Sequence, residues 1–173
     1  MQEEQGQITN RVASSNLVTF DLEDYFIPGE RILIDIKDQL FQGLILKEKD
    51  FRDFVKTTRW VEYQGKFVAI HCSVDAIVPT WAYMLLAIAL EPFAAKVVFG
   101  TLEELEIAIF QERLRDVDWL KFKDAKVVIK GCSKVNVPVA TYVDVANRLR
   151  PYVSSIMYGE PCSTVPLFKK AKA

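Results

Sequence analysis

The chain has 173 residues, half of them hydrophobic and 26% charged, with a formal net charge of −1. That length fits one domain able to bury a sizeable core, and the charge leaves no electrostatic footprint for nucleic acid or an anionic membrane. Aromatic residues alternate with aliphatic ones rather than with Lys and Arg, so a stacking platform for single strands is not expected either.

Met1 to Gly6 is polar and acidic and lacks the apolar stretch of a secretory signal. Residues 1–8 and Lys169 to Ala173 read as frayed tails. Leu17 to Asp24 (LVTFDLED) reads as a short strand running into an acidic turn, and Pro28-Gly29 marks the next turn. Asp21, Glu23 and Asp24 form a solvated turn on this reading, with a bound cation the less favoured alternative. Arg31 to Ile36 and Leu40 to Leu46 alternate apolar and polar residues around Lys37-Asp38-Gln39, which predicts an antiparallel hairpin. Phe51, Phe54 and Val55 recur at helical spacing and predict a short helix, with Trp60 and Tyr63 plugging its junction with the next strand.

From Lys66 strands and helices alternate. Strands are predicted over Phe67–Ile70, Lys96–Phe99, Val127–Ile129 and Ser155–Tyr158, and helices over Pro79–Leu90, Leu102–Leu114 and Pro138–Leu149. This grammar predicts βαβ crossovers and a parallel sheet. The longest apolar run, Ile77 to Leu90, is broken by Pro79 and falls short of the roughly 20 residues of a membrane span. The helix Thr80–Leu90 (TWAYMLLAIAL) has no polar face, as expected of a helix buried on all sides, and a homodimer interface would provide such burial. The Glu-rich helix Leu102–Leu114 reads as a covering helix.

The second part of the chain repeats itself. Lys66, Val68, Cys72 and Ser73 recur as Lys126, Val128, Cys132 and Ser133. After a one-residue deletion Val78-Pro79 matches Val137-Pro138, Tyr83 matches Tyr142, Pro92-Phe93 matches Pro151-Tyr152, and Phe99-Gly100 matches Tyr158-Gly159. Pro and Gly recur in any βαβ unit, but the coincident tyrosines and Cys-Ser pairs favour duplication. The expected architecture is one α/β domain, residues 1–173. An antiparallel hairpin and helix occupy residues 1–65, and a parallel core of two repeated βαβ units, strand order 2-1-3-4, occupies 66–168. The Cys72 and Cys132 strands would then lie side by side, with a ligand crevice where the strand order reverses.

All three cysteines precede serine, in CSVDAIVP, CSKVNVP and CSTVP. Cysteines in a chain without a secretion signal read as thiols or ligands, and the expected compartment is the cytoplasm. Cys72, Cys132 and Cys162, with Glu103, Asp75, Glu160 or the single histidine His71 as fourth ligand, would suit a zinc ion or an iron–sulfur cluster. Their spacing matches no local zinc-ribbon or ferredoxin pattern, so this depends on the fold. A second reading is a thiol enzyme or sulfur carrier, since a cysteine just before a helix N-terminus favours thiolate. The third is a non-catalytic interaction module with structural cysteines, small apolar residues suited to tight turns. Whether the chain is an enzyme stays open among the three. No Gly-rich dinucleotide or Walker sequence occurs.

Five stretches together, NLVTFDLEDYF, LFQGLILKEKDFRDF, IVPTWAYMLLA, VVIKGCS and IMYGEPCSTVP, resemble domain-of-unknown-function family 2480, found chiefly in Bacteroidetes, from about Ile8 to Lys170. The resemblance implies no activity and carries over no catalytic residues. Family members tend to be encoded near iron–sulfur assembly proteins, which would make such proteins its partners and favours the metal and sulfur readings together.

Overall fold

A computed structural model describes residues 17–130, 134–160 and 163–171. In chain order the elements are strand β1 (Leu17–Asp21), β2 (Arg31–Asp35), β3 (Leu40–Phe41), β4 (Ile45–Leu46), helix α1 (Glu48–Thr57), β5 (Phe67–His71), α2 (Thr80–Leu90), β6 (Lys96–Phe99), α3 (Leu102–Arg115), β7 (Lys126–Lys130), α4 (Val139–Leu149), β8 (Ser155–Glu160) and β9 (Ser163–Lys169). The chain divides into two compact units, one of Met1–Tyr25 with Asp116–Ala173 and one of Phe26–Arg115.

In the Phe26–Arg115 unit, β2, β5 and β6 form a parallel sheet in the order β2-β5-β6. β5 (FVAIH) is buried along nearly its whole length, as a central parallel strand covered on both faces should be. Its alternate residues serve two cores. Val68 and Ile70 pack with Phe51 of α1 and Ala82, Leu86 and Leu90 of α2, while Phe67 and Ala69 pack with Leu105 and Ile109 of α3. Period-2 alternation on one strand thus fixes which helix lies on which face. The expected hairpin is present as β3–β4, paired antiparallel around Gln42-Gly43-Leu44. Arg31–Asp35, the alternating run read as its first arm, instead lies parallel to β5, and Ile36–Gln39 winds into a 3-10 turn.

In the other unit the order is β1-β7-β8-β9, parallel except for the antiparallel β9. Both pairs expected inside the βαβ repeats, β5 with β6 and β7 with β8, are formed and parallel, so the order holds within each half. Between the halves, β5 takes β2 as its second neighbour and β7 takes β1. The Cys72 and Cys132 strands therefore belong to different sheets, because each N-terminal strand occupies the edge the other repeat would have used.

The registers place the halves 59 positions apart throughout, Phe67–His71 aligning with Lys126–Lys130 and Thr80–Leu90 with Val139–Leu149. Local hydrogen bonds repeat at the same interval. Gly65 N–H donates to Phe93 O as Asp124 N–H donates to Tyr152 O, at 2.9 Å in both cases. Gly65 and Asp124 share the left-handed conformation, with φ of 70° and 57°. No deletion is needed. On this register Cys72 aligns with Gly131 and Ser73 with Cys132, so the Cys-Ser dipeptides are one position out of step. The first strands repeat too, 14 positions apart: LVTFDLED (17–24) and RILIDIKD (31–38) each supply a strand, a terminal Asp and a buried aliphatic, Leu22 or Ile36.

Candidate functional site

Because β2, β5 and β6 run parallel, their carboxyl ends meet at one edge, where Asp35, His71 and Phe99 close the three strands. Asp35 caps the 3-10 turn after β2, its Oδ1 accepting from Lys37 N–H at 3.1 Å and from Ser73 N–H at 3.1 Å. One carboxylate thereby ties the loop after β5 to the end of β2. Burial pushes its pKa up, but the hydrogen bonds from the Ser73 hydroxyl, Lys37 N–H and Ser73 N–H, with the Lys37 ammonium, outweigh this and hold it at about 2. His71 Nε2 lies 4.0 Å from Asp35 Oδ2, beyond hydrogen-bonding range.

The same loop is fixed elsewhere. Ile77 N–H donates to Leu44 O of the hairpin at 2.9 Å. At the end of β6, Gly100 N–H donates to Ile70 O, and a capping box opens α3. There Glu104 Oε2 accepts from Thr101 N–H at 2.7 Å and from its hydroxyl at 3.0 Å, while Glu104 N–H returns a bond to Thr101 Oγ1. These bonds, with a smaller contribution from His71, hold the Glu104 carboxyl below its ordinary range.

Tyr83 lines an apolar hollow of about 470 Å³ together with Ile70, Thr80, Met84, Ala87, Val97 and Phe99. Burial, and then the charges of Cys72 and Asp35, raise the tyrosine's pKa, so at neutral pH its hydroxyl stays a donor. Phe99, Met84 and Ile88 beside the hollow are 67%, 60% and 69% exposed. The helix expected to be buried on all sides thus buries Ala82, Leu86 and Leu90 and presents an apolar outer face.

The cysteine-ligated metal or iron–sulfur site, and with it the cysteine cluster, is corrected by this geometry. Among the described residues no three His, Cys, Asp or Glu side chains gather so as to hold a metal ion. Cys72 is a free thiol donating to Val74 O at 3.5 Å; Cys132 and Cys162 lie outside the described residues. Of the fourth-ligand candidates, Asp75 and Glu103 are exposed, His71 faces Asp35, and Glu160 ends β8 in the other sheet. Helix-adjacent position alone did not make a ligand set. Nor does Cys72 pair with His71 as nucleophile and base, because its hydrogen goes to a main-chain carbonyl.

Asp35 and Glu104 were not singled out by the sequence reading, and Tyr83 entered only as a repeat position. A signal for Asp35 existed in the Asp-aliphatic-x-Asp echo of 21–24 at 35–38. In the other unit Asp21 repeats the role of Asp35, accepting from Glu23 N–H at 3.0 Å, but its facing residue is Lys130, bound at 2.9 Å. Two halves of one design thus carry a permanent ion pair in one case and a histidine beside an apolar hollow in the other.

Parallel βαβ halves whose N-terminal strands end in matched aspartates define a duplicated α/β protein whose distinctive surface is an apolar opening beside the strand ends. The chain belongs to the family described as "Protein of unknown function (DUF2480)", whose profile matches residues 6–170. No curated protein and no solved structure matches the chain. No helix among the described residues is long and apolar enough to cross a membrane.

Proposed function

We propose that the chain is a binding protein that takes an extended polypeptide strand, antiparallel, along the open edge of β6, with apolar side chains of that strand seated in the hollow beside α2. One observation carries the reading. β8, which aligns with β6, carries just such an added strand in β9, paired antiparallel from Ser155↔Lys169 to Glu160↔Ser163. β6 has β5 on one side and no strand on the other among the described residues. An open edge offers unpaired N–H and C=O groups to an incoming strand, and pockets beside it select the side chains. A short edge strand with a lysine, as β6 is with Lys96, is also how proteins blunt an edge. Blunting, however, does not surround the edge with exposed Phe99, Met84 and Ile88. Cytoplasmic placement fits a free thiol at Cys72.

The test uses a synthetic peptide of the β9 sequence, Ser163 to Lys169. Amide hydrogen exchange should slow at Lys96–Phe99 as the peptide is added, or be slow already in concentrated protein and quicken on dilution. Fast exchange of these amides at every protein and peptide concentration overturns the proposal.

A further inference from the structure

We infer that the strand seated on β6 is β6 of a second copy of this chain, joining two sheets into one of order β2-β5-β6-β6-β5-β2. This rests on the strand-addition reading above and names its partner. Four observations converge on a copy.

The first is direction. A two-fold axis perpendicular to a sheet brings identical edges together antiparallel, and antiparallel is the sense in which the aligned edge β8 is occupied.

The second is the chemistry of the outer helix face. From Ala82 to Leu90, α2 has the burial pattern that α4 has from Thr141 to Leu149, with Met84 and Ile88 exposed where Val143 and Asn147 are exposed. Yet α4 carries the ion pair Asp144–Arg148 at 2.9 Å where α2 has Leu85 and Ala89. The half whose edge is filled sets that charged pair and Asn147 beside its exposed Val139 and Val143. The half whose edge is open has no charged residue on its helix at all, as a face covered by a partner requires.

The third is spacing. Residues of α2 pack against Val68 and Ile70 of β5 and share the hollow with Val97 and Phe99 of β6, so the helix lies over the gap between the two strands. Strands are ~4.8 Å apart, which puts the helix axis about one strand spacing from a seam running along the outside of β6. Two copies of α2 related by that seam come ~10 Å apart, within the range of packed helices. Met84 and Ile88 would fill the space between them.

The fourth is register. A two-fold seam pairs residues of the same face, so centring it on Val98 sets Val97 opposite Phe99 and Lys96 opposite Gly100, and no like charges meet across it. Lys96 is already paired with Glu112 of α3.

The experiment is sedimentation velocity on the full chain at ~100 μM, where even a Kd of ~1 μM leaves most of it dimeric. A dimer is expected. Ile88→Asn, which copies the residue α4 carries there, and Phe99→Lys should each weaken association at least ~10-fold, a loss of about 1.4 kcal/mol. Circular dichroism and melting of dilute Ile88→Asn protein should be unchanged, Phe99→Lys should lose in addition only its ring contact with Tyr83, and Val143→Asn on α4 should leave the dimer intact. A dimer indifferent to both Ile88→Asn and Phe99→Lys overturns the inference. A monomer whose β6 amides are still protected by the β9 peptide removes the second copy and keeps strand addition. A monomer unprotected by the peptide removes both.

Discussion

Tyr83 and Phe99 meet edge to face, ring centres 4.9 Å apart and planes at 78°. Fifty-nine positions on, Tyr142 and Tyr158 meet at 5.8 Å and 84°. In each pair the first ring comes from the crossover helix and the second from the carboxyl half of the following strand, so the contact pins helix to strand. Offset edge-to-face pairs contribute about 0.5–1.5 kcal/mol beyond burial. The same contact at the same interval in both sheets makes duplication a tertiary fact as well as a sequence pattern.

Asp35 should make stability depend on pH in the acid range. Its folded pKa of about 2 lies below the ordinary 3.8, so its contribution is complete above pH 3.8 and is lost as pH falls through about 2. Asp35→Asn should therefore cost about 1 kcal/mol at neutral pH. Urea unfolding of both proteins should show that gap closing as pH approaches 2. A gap that stays constant down to that pH would mean that the hydrogen bonds to Lys37 and Ser73 do not depend on the charge.

The paired glycines Gly100 and Gly159 give an internal comparison. Both hold positive φ, 134° and 122°, where a side chain is strained. A Cβ on Gly159 would sit 2.6 Å from the Ser163 main-chain oxygen, which cannot yield without breaking the β8–β9 ladder. On Gly100 it would meet the end of the flexible Glu104 side chain. Gly159→Ala should cost more than Gly100→Ala, by about 1 kcal/mol within an overall range of about 1–3. Combining Gly100→Ala with Glu104→Ala should cost less than the sum of the two singles, as thermal unfolding of the double-mutant cycle can read.

His71→Lys would install in one half the ion pair that Lys130 and Asp21 make in the other. The added permanent charge beside Asp35 should raise stability by about 0.5 kcal/mol in dilute buffer. The gain should shrink toward zero in 1 M salt, where the screening length is ~3 Å. Equal gains at low and high salt would assign the effect to packing instead.

Local pattern carried the elements well and their partners poorly. Lys96–Phe99 is a strand with the bounds expected from the sequence, and the helix starts near Pro79 and Pro138 follow from proline's fit to a first turn. The alternation of Arg31–Ile36 correctly marked a strand. Period 2 is the same for a hairpin arm and a parallel neighbour, so the true partner β5, across a long intervening stretch, was invisible. β9 was missed because Pro166 interrupts STVPLFK, and an edge strand tolerates a proline beside a register shift where a central one would not.

The site was less legible than the fold, for a related reason. Shared Cys-Ser dipeptides pulled the repeat onto a spacing of 60, whereas main-chain pairing holds it at 59. Identity at two positions outweighed the backbone only on paper. What marks the edge of the three-stranded sheet is an aspartate recurring 14 residues after its counterpart, and apolar residues on α2 where α4 has charge. Both are relations between segments, visible once the segments are laid side by side in space.

The partner of β1 has an implication for synthesis. Asp21 and Lys130 are 109 positions apart, and β1 has no strand neighbour other than β7 among the described residues. Phe26–Arg115, by contrast, holds all of its sheet within one continuous stretch. As the chain leaves the ribosome, that stretch has every strand it needs while β1 still waits for β7. The first of the described strands is thus among the last to be paired, and during that interval Val18 and Phe20 depend on whatever else in the cell shelters an exposed strand.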